Sequence, residues 1–335
     1  MVVNRKDTIL VTGGKGFLGK AVCRSLKRRG YDNVVALPGS TNSFALNLTS
    51  PTNVAHVFDS YNPDVVIHLA ARVGGIGANQ ESPGRFFYEN MSMGLNVINE
   101  SRRKGCKKLV LISTVCSYPN HTPVPFKEEY IWNGYPEETN APYGIAKKAL
   151  MEMLSAYRKQ YGFNGITLIP VNMYGPNDNF DPKVSHVIPA LILKIQKAIH
   201  EGLDVVEVWG TGKASREFLY VDDCAEAITM ATEKYNKPGP VNIGTGREIK
   251  IRDLVNTIVH IMDYQGKIVL DTSKPDGQPR RCLDVEKARD EFNFEATTLL
   301  EEGLYKTVEW FRNDYWNNFV QRQGDAAAPP VGQPL

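Results

Sequence analysis

The chain is poor in cysteine, nearly balanced in charge and free of long apolar runs, and each of these removes a class of protein. Five cysteines (Cys23, Cys106, Cys116, Cys224 and Cys282) stand among 335 residues without ligand spacing or a pairing pattern. That argues against a disulfide scaffold and a zinc module. The odd count, with no signal peptide read at the start, sets the expectation of a reducing, cytoplasmic setting. The six histidines also lack ligand spacing, so no metal is expected. A formal net charge of +2 gives no global field toward nucleic acid or membrane. The nearest approach to a basic patch, Arg102-Arg103-Lys104 with Lys107 and Lys108, reads as cations at a helix end. No stretch approaches the ~20 apolar residues of a membrane span.

What is present is an alternation of strands and helices. Thr8-Ile9-Leu10-Val11 runs into Thr12-Gly13-Gly14, and an amphipathic stretch follows from Phe17 to Arg29. Val34 to Leu37 reads as a second strand. Asp64 to Ala70 and Leu109 to Ser113 are continuous apolar runs, as strands covered on both faces require. Helical periodicity lies at Asn53 to Tyr61, Phe86 to Arg103 and Tyr143 to Tyr161, and Gly165 to Pro170 is a fifth strand. This pattern calls for an α/β protein with a Rossmann-type doubly wound parallel sheet. After residue 175 the rhythm changes. Helices are expected at Val187 to His200, Val221 to Tyr235, Ile251 to Met262 and Leu299 to Phe319, with strands at Val205 to Trp209 and Lys267 to Leu270. Pro240 to Ile243 is expected to return to the main sheet. The expected division is a dinucleotide unit over 1–175 and 218–246, and a smaller α/β substrate unit built from C-terminal segments over 176–217 and 247–320. Gly324 to Pro330 has no core-forming residues, and the tail 321–335 is expected to be disordered.

Gly13-x-x-Gly16-x-x-Gly19 follows a strand and opens a helix. Such a turn lets backbone N–H groups approach a pyrophosphate at a helix N-terminus. The second-strand tip, Ala36-Leu37-Pro38-Gly39-Ser40, carries no acid to hold a free ribose hydroxyl, and Lys15 stands ready for a 2′-phosphate. The reading is NADP(H); the alternative is that Lys15 is a solvated loop lysine. Tyr143 and Lys147 share one face of a helix. The ammonium is expected to lower the phenol pKa from ~10 toward neutrality, so that the tyrosine protonates an alkoxide as hydride reaches a carbonyl carbon. Thr114, ending the fourth strand, offers a hydroxyl to the same oxygen. Cys116 and His186 add a second chemistry: a thiolate removes a proton from carbon and an imidazolium returns one. Taken alone, each has a plain alternative, a small buried hydrophobe for the cysteine and a structural role for the histidine.

The segments His68-Leu69-Ala70-Ala71-Arg72-Val73-Gly74-Gly75-Ile76, Val115-Cys116-Ser117-Tyr118-Pro119, Tyr174 to Phe180, Ser185 to Leu191, Trp209-Gly210-Thr211-Gly212, Arg216-Glu217-Phe218 and Lys274-Pro275-Asp276-Gly277 stand in order. Together with the Tyr-x-x-x-Lys pair they resemble the GDP-L-fucose synthase family of the extended short-chain dehydrogenases/reductases, over about residues 8 to 316. The resemblance implies 3,5-epimerisation and 4-keto reduction of a GDP-4-keto-6-deoxy-mannose-type nucleotide sugar. In it Cys116 is the base, His186 the acid, and Thr114, Tyr143 and Lys147 complete the catalytic set. It implies a cofactor site of Gly13, Lys15, Gly16, Phe17, Leu18, Gly19, Asn47, Leu48, Leu69, Ala70, Ala71, Ser113, Tyr143, Lys147, Pro170, Asn172, Met173 and His186. Asn172, Lys194, Trp209, Arg216, Lys274, Asp276 and Arg281 would hold the nucleotide sugar, with Trp209 on the guanine and Arg216 on the diphosphate. Lys147 and a protonated His186 are expected to favour the Cys116 thiolate. The resemblance also implies a homodimer. Thr114 stands where many relatives have serine, and its methyl group crowds the sugar. A 4-reductase on another GDP-keto-sugar such as a heptose, a 3,5-epimerase without net reduction, and a non-enzymatic cofactor-sensing scaffold are the alternatives.

Overall fold

The structure is a computed structural model that describes residues 3–38, 46–182, 184–274 and 276–318. The tail at 321–335, Gly39 and Ser40 of the second-strand tip, Pro275, and the expected last residue of the final helix, Phe319, lie outside these residues. The chain runs β1 (Ile9–Thr12), α1 (Phe17–Arg28), β2 (Val34–Ala36), α2 (Pro51–Tyr61), β3 (Val65–His68), α3 (Ile76–Glu81), α4 (Pro83–Arg103), β4 (Lys108–Ile112), α5 (Ala141–Tyr161), β5 (Gly165–Pro170), β6 (Asn172–Tyr174), α6 (Val187–Glu201), β7 (Val205–Trp209), β8 (Ser215–Tyr220), α7 (Val221–Lys234), β9 (Pro240–Ile243), β10 (Glu248–Lys250), α8 (Ile251–Met262), β11 (Lys267–Asp271), α9 (Glu286–Phe292) and α10 (Leu300–Trp310). A wide π-helical turn, Phe311–Trp316, continues α10.

The main sheet has the order β2-β1-β3-β4-β5-β9, and every pairing in it is parallel. The apolar runs of β1, β3, β4 and β5 are buried along their whole length, because helices cover both faces. The α4–α5 pair covers one face and the α1–α7 pair the other. Gly94 lets α4 approach α5: a Cβ there would collide with Leu150. Lys108 is buried on the α7 side and donates to the carbonyls of Ala231, Thr232 and Tyr235 at that helix's end. The strand order reverses between β1 and β3. In such sheets ligands bind at the carboxyl edge beside that reversal.

β6, β8 and β10 form a separate three-stranded sheet, and β7 pairs with β11. Two apolar clusters result. One centres on the main sheet, and the other gathers α6, α8, α10, β7 and the aromatic turn around Phe180. Leu283, Ala288, Phe292 and Phe294 pack into the first cluster.

The differences from the sequence reading have physical causes. The three-residue strands β6 and β10 are too short to carry periodicity. In β8, Arg216 and Glu217 interrupt the apolar pattern, yet the strand is largely buried. The final helix keeps α-helical geometry only to Trp310, after which the wider turn lets Phe311 and Tyr315 close on Phe180, at ring-centroid distances of 4.6 and 5.2 Å.

Candidate active site

The β1–α1 turn is built for close approach. Gly13 has φ +69°, and a Cβ on it would come within 3.1 Å of the Ala70 amide nitrogen. A Cβ on Gly14 would come within 2.7 Å of Ala36 Cα, and one on Gly19 would overlap the Gly13 carbonyl. Gly16 gives α1 no side-chain cap, leaving the amides of Phe17 and Leu18 in its first turn for an anion. Lys15 is exposed beside them. The cradle therefore fits a dinucleotide pyrophosphate. Leu69, Ala70 and Ala71 follow β3, Ser113 follows β4, and Pro170, Asn172 and Met173 close β5 and form β6, so these sites line one sheet edge. Asn47 shapes the turn before α2 through Thr49, and Asn96 holds the Leu48 carbonyl at 2.9 Å. Among the described residues, the buried Ser113 hydroxyl and His68 Nε2 have no hydrogen-bond partner. His68 Nδ1 lies 2.8 Å from Thr12 Oγ1. Burial, with the Lys147 charge nearby, holds this imidazole down at about 3, so it is neutral.

Thr114 caps a single 3₁₀ turn, Val115–Ser117, its hydroxyl accepting from the Cys116 amide at 3.2 Å. Helix α5 packs directly on that turn. Gly144 makes this possible, since any Cβ there would overlap the Cys116 carbonyl oxygen. Ser117 Oγ donates to the Gly144 carbonyl at 3.0 Å. Tyr143, one residue earlier, thereby reaches both the Thr114 hydroxyl and the neighbourhood of Cys116. Farther along the loop the Tyr118 hydroxyl donates to Asn242 Oδ1 at 2.7 Å, and Asn242 Nδ2 donates to the carbonyls of Phe126 and Asp284. The thiol-bearing loop is thus pinned to β9.

The Tyr143 phenol corrects one expectation. Burial pushes it above its ordinary value, the Cys116 charge adds to this, and the Thr114 hydrogen bond opposes it. Lys147 does not bring it toward neutrality, because its ammonium donates to the Ile112 carbonyl at 2.9 Å and is itself held down at about 8 by burial. The phenol is retained, and a phenol is the form that can protonate an alkoxide.

His186 stands on another element, at the N-cap of α6. The loop after β3 clamps its segment: Gly75 N donates to the Val184 carbonyl at 3.0 Å, and Asn79 Nδ2 holds the carbonyls of Gly74 and Gly75. The ring is open to water yet crowded by protein, and the loss of solvation lowers its pKa. No hydrogen bond joins it to Cys116 among the described residues.

Arg281 does reach Cys116, with Nη1 3.8 Å from Sγ. Gln278 Oε1 accepts from Arg281 Nε and Nη2 at 3.1 and 2.8 Å, and the Gln278 backbone carbonyl accepts from Arg216 Nη1 at 2.6 Å. Burial, then the Arg281 charge, lowers the Arg216 guanidinium to about 10. Two guanidiniums thus face one place, where an anion is favoured.

Trp209 is 62% exposed. The Lys194 and Lys274 ammoniums lie 5.8 and 5.4 Å from its ring centre, and Lys194 also donates to the Glu207 carbonyl. This is a flat stacking platform edged with positive charge. Asp276 has a different task. Its carboxylate accepts from Thr211 N at 2.7 Å and Thr211 Oγ1 at 2.6 Å, tying the turn after Trp209 to the 276–281 segment. Asn172 Nδ2 donates to the Glu217 carbonyl at 3.1 Å.

Sequence reasoning missed Gln278, Glu217 and the packing role of Gly144. Glu217 is fully buried, and its carboxylate accepts from Gly246 N at 2.8 Å and Leu283 N at 2.7 Å. Gly144 had a signal, being the glycine between Tyr143 and Lys147. Gln278 had none, because its bond to Arg281 gains meaning only when the fold sets that arginine beside Cys116; Glu217 stood within a noted motif, but its partners Gly246 and Leu283 are distant in sequence.

The model of the NAD dependent epimerase/dehydratase family matches residues 9–244. A GDP-L-fucose synthase of Sinorhizobium fredii is 40% identical over 310 residues, 92% of this chain and 97% of that protein. A crystal structure of a GDP-6-OMe-4-keto-L-xylo-heptose reductase from C. jejuni superposes with TM-score 0.86 at 30% identity, covering 93% of this chain and 99% of that one. A GDP-L-fucose synthetase from Naegleria fowleri, solved bound to NADP, gives TM-score 0.85 at 30% identity over 94% and 97%. The chain belongs to the NAD dependent epimerase/dehydratase family and, within it, to the group of GDP-L-fucose synthase relatives.

Proposed function

We propose that this chain is a GDP-L-fucose synthase, an NADPH-dependent enzyme that epimerises GDP-4-keto-6-deoxy-D-mannose at carbons 3 and 5 and reduces it at carbon 4. The observation that carries the reading is the meeting of Thr114, Cys116 and Tyr143 at the end of β4. A reductase needs only the hydroxyl donors there; the thiol beside them is what epimerisation adds.

In this reading the 4-keto oxygen lies against Thr114 and Tyr143. Cys116 thiolate takes a proton from carbon 3 or carbon 5, and the negative charge moves to that oxygen, where two hydroxyl donors stabilise the enolate. His186 returns a proton from the opposite face. Its lowered pKa makes it a strong acid when protonated. Bound NADPH supplies the hydride for carbon 4. Tyr143 then gives its phenolic proton to the resulting alkoxide, and Lys147 stands one turn away to balance the phenolate. Trp209 stacks on the guanine, flanked by Lys194 and Lys274, while Arg216 and Arg281 face the diphosphate side. Asp276 and Asn172 position these groups. Lys15 pairs with the cofactor's 2′-phosphate.

The same proposal divides the chain as expected from its sequence, except that 283–294 joins the dinucleotide unit, because Leu283, Ala288, Phe292 and Phe294 pack into its core. It includes a homodimer through α4 and α5, where Tyr88, Leu95 and Tyr161 are exposed, and a reducing, cytoplasmic compartment, in keeping with five free thiols. Among the described residues no helix is long and apolar enough to cross a membrane.

A second reading, a 4-reductase for another GDP-keto-sugar such as a heptose, is favoured by the likeness to the heptose reductase. Incubation with GDP-4-keto-6-deoxy-mannose and NADPH, with the product identified by NMR, separates the two. GDP-L-fucose is the expected product. A reduced sugar with carbons 3 and 5 unchanged would replace the first reading with the second.

A further inference from the structure

We propose that Arg281 is the cation that sustains the Cys116 thiolate, and that Gln278 holds it in place. The proposal rests on Cys116 being the epimerisation base. Neither group expected to serve the thiol is bonded to it among the described residues: Lys147 donates to the Ile112 carbonyl, and His186 stands at the N-cap of α6, on another element, with no hydrogen bond to Cys116. Arg281 Nη1 is 3.8 Å from Cys116 Sγ. Its other two donors, Nε and Nη2, both go to Gln278 Oε1, and Gln278 Nε2 is anchored in turn on the Asn120 carbonyl at 2.6 Å. Asn120 lies in the loop that carries the thiol, so one amide side chain fixes the guanidinium and the cysteine loop together.

The charged and titratable groups near Cys116 come from three elements. Tyr143 of α5 is a neutral phenol, Arg216 of β8 is a cation that bonds three carbonyls, and Arg281 comes from the segment before Leu283. The nearby carboxylates are spent on other partners, Glu217 on backbone amides and Asp276 on Thr211. Among the described residues no acid is hydrogen-bonded to Arg281. When the thiolate takes a proton from carbon, an S–H bond forms and the C–H electron pair becomes the enolate. Charge then leaves the sulfur for the 4-oxygen. Arg281 keeps its two bonds to Gln278 throughout, so the step requires no movement of the cation.

The test is the pH dependence of Cys116 alkylation by iodoacetamide, read by peptide mass spectrometry on the full chain, beside solvent deuterium uptake at carbons 3 and 5 of the keto-sugar. In Arg281→Gln the midpoint of the alkylation profile rises by about one unit, as expected when a cation at this range is lost. Deuterium uptake at saturating substrate falls about tenfold at neutral pH and recovers as pH rises. Arg281→Lys keeps most of the effect. Gln278→Leu, which frees the guanidinium without removing it, gives an intermediate midpoint and serves if Arg281→Gln does not fold. An unchanged midpoint in a folded variant overturns the proposal. So does a rise in KM shared by epimerisation and reduction with the midpoint unmoved, the signature of a group that only binds diphosphate. Cys116→Ser separates the two claims. If it abolishes uptake while Arg281→Gln changes nothing, the arginine role falls and the base stands; if it leaves uptake intact, the base falls as well.

Discussion

In the proposed mechanism Tyr143 meets the reacting oxygen as a phenol, hydrogen-bonded to Thr114 and near Cys116. Replacing it by phenylalanine removes the proton donor while Thr114 still binds the oxygen. Reduction, followed by NADPH consumption, is therefore expected to fall about 10²–10⁴-fold, with a smaller loss in proton exchange at carbons 3 and 5. Equal losses in both would mean that the ring only supports the site. At this scale the sequence was legible where chemistry has a local spacing. Tyr143 and Lys147 lie one helical turn apart, and Thr114 and Cys116 share one short turn. The partner of Lys147 was not legible, because the Ile112 carbonyl is brought under it only by the packing of α5 on β4. Nor was Arg281 as the neighbour of Cys116, 165 positions away in the chain.

Helix α5 is placed by glycines as much as by its apolar face. Gly144→Ala is expected to force the helix away from the Val115–Ser117 turn, because the added methyl overlaps a backbone oxygen rather than a flexible side chain. The destabilisation should be about 1–3 kcal/mol, read by thermal unfolding, and the loss of activity should exceed what the stability change explains. A variant with unchanged melting and unchanged rate would show that the contact is dispensable. The fully buried strands β3, β4 and β5 were plain from their apolar runs, and so were α4 and α5 from their periodicity. The strands β6, β8 and β10 were hidden, two by their three-residue length and β8 by the charged pair Arg216 and Glu217 within it. Their identity depends on pairing with one another across 31 to 46 positions, which no local pattern encodes.

In the whole molecule, the reversal of strand order between β1 and β3 puts the glycine cradle at the same sheet edge as the ends of β3, β4 and β5. The later segments then close over it from the second apolar cluster, with the buried Glu217 carboxylate joining the 245–246 and 283 backbones. The return of Pro240–Ile243 to the main sheet was foreseeable from its apolar run; the return of 283–294 to the first core was not, since α9 is short and mostly charged. This closure brings the thiol, the phenol and two guanidiniums together, and in the proposed mechanism the thiol there inverts carbon centres before the ketone is reduced. The most direct measurement is turnover of GDP-4-keto-6-deoxy-mannose with NADPH in heavy water, comparing wild type with Cys116→Ser. The expected wild-type product is deuterated at both carbons 3 and 5, with one equivalent of NADPH consumed, and the variant gives little or no label. A wild-type product bearing no deuterium at either carbon, or a variant that labels as fast as wild type, would contradict that mechanism.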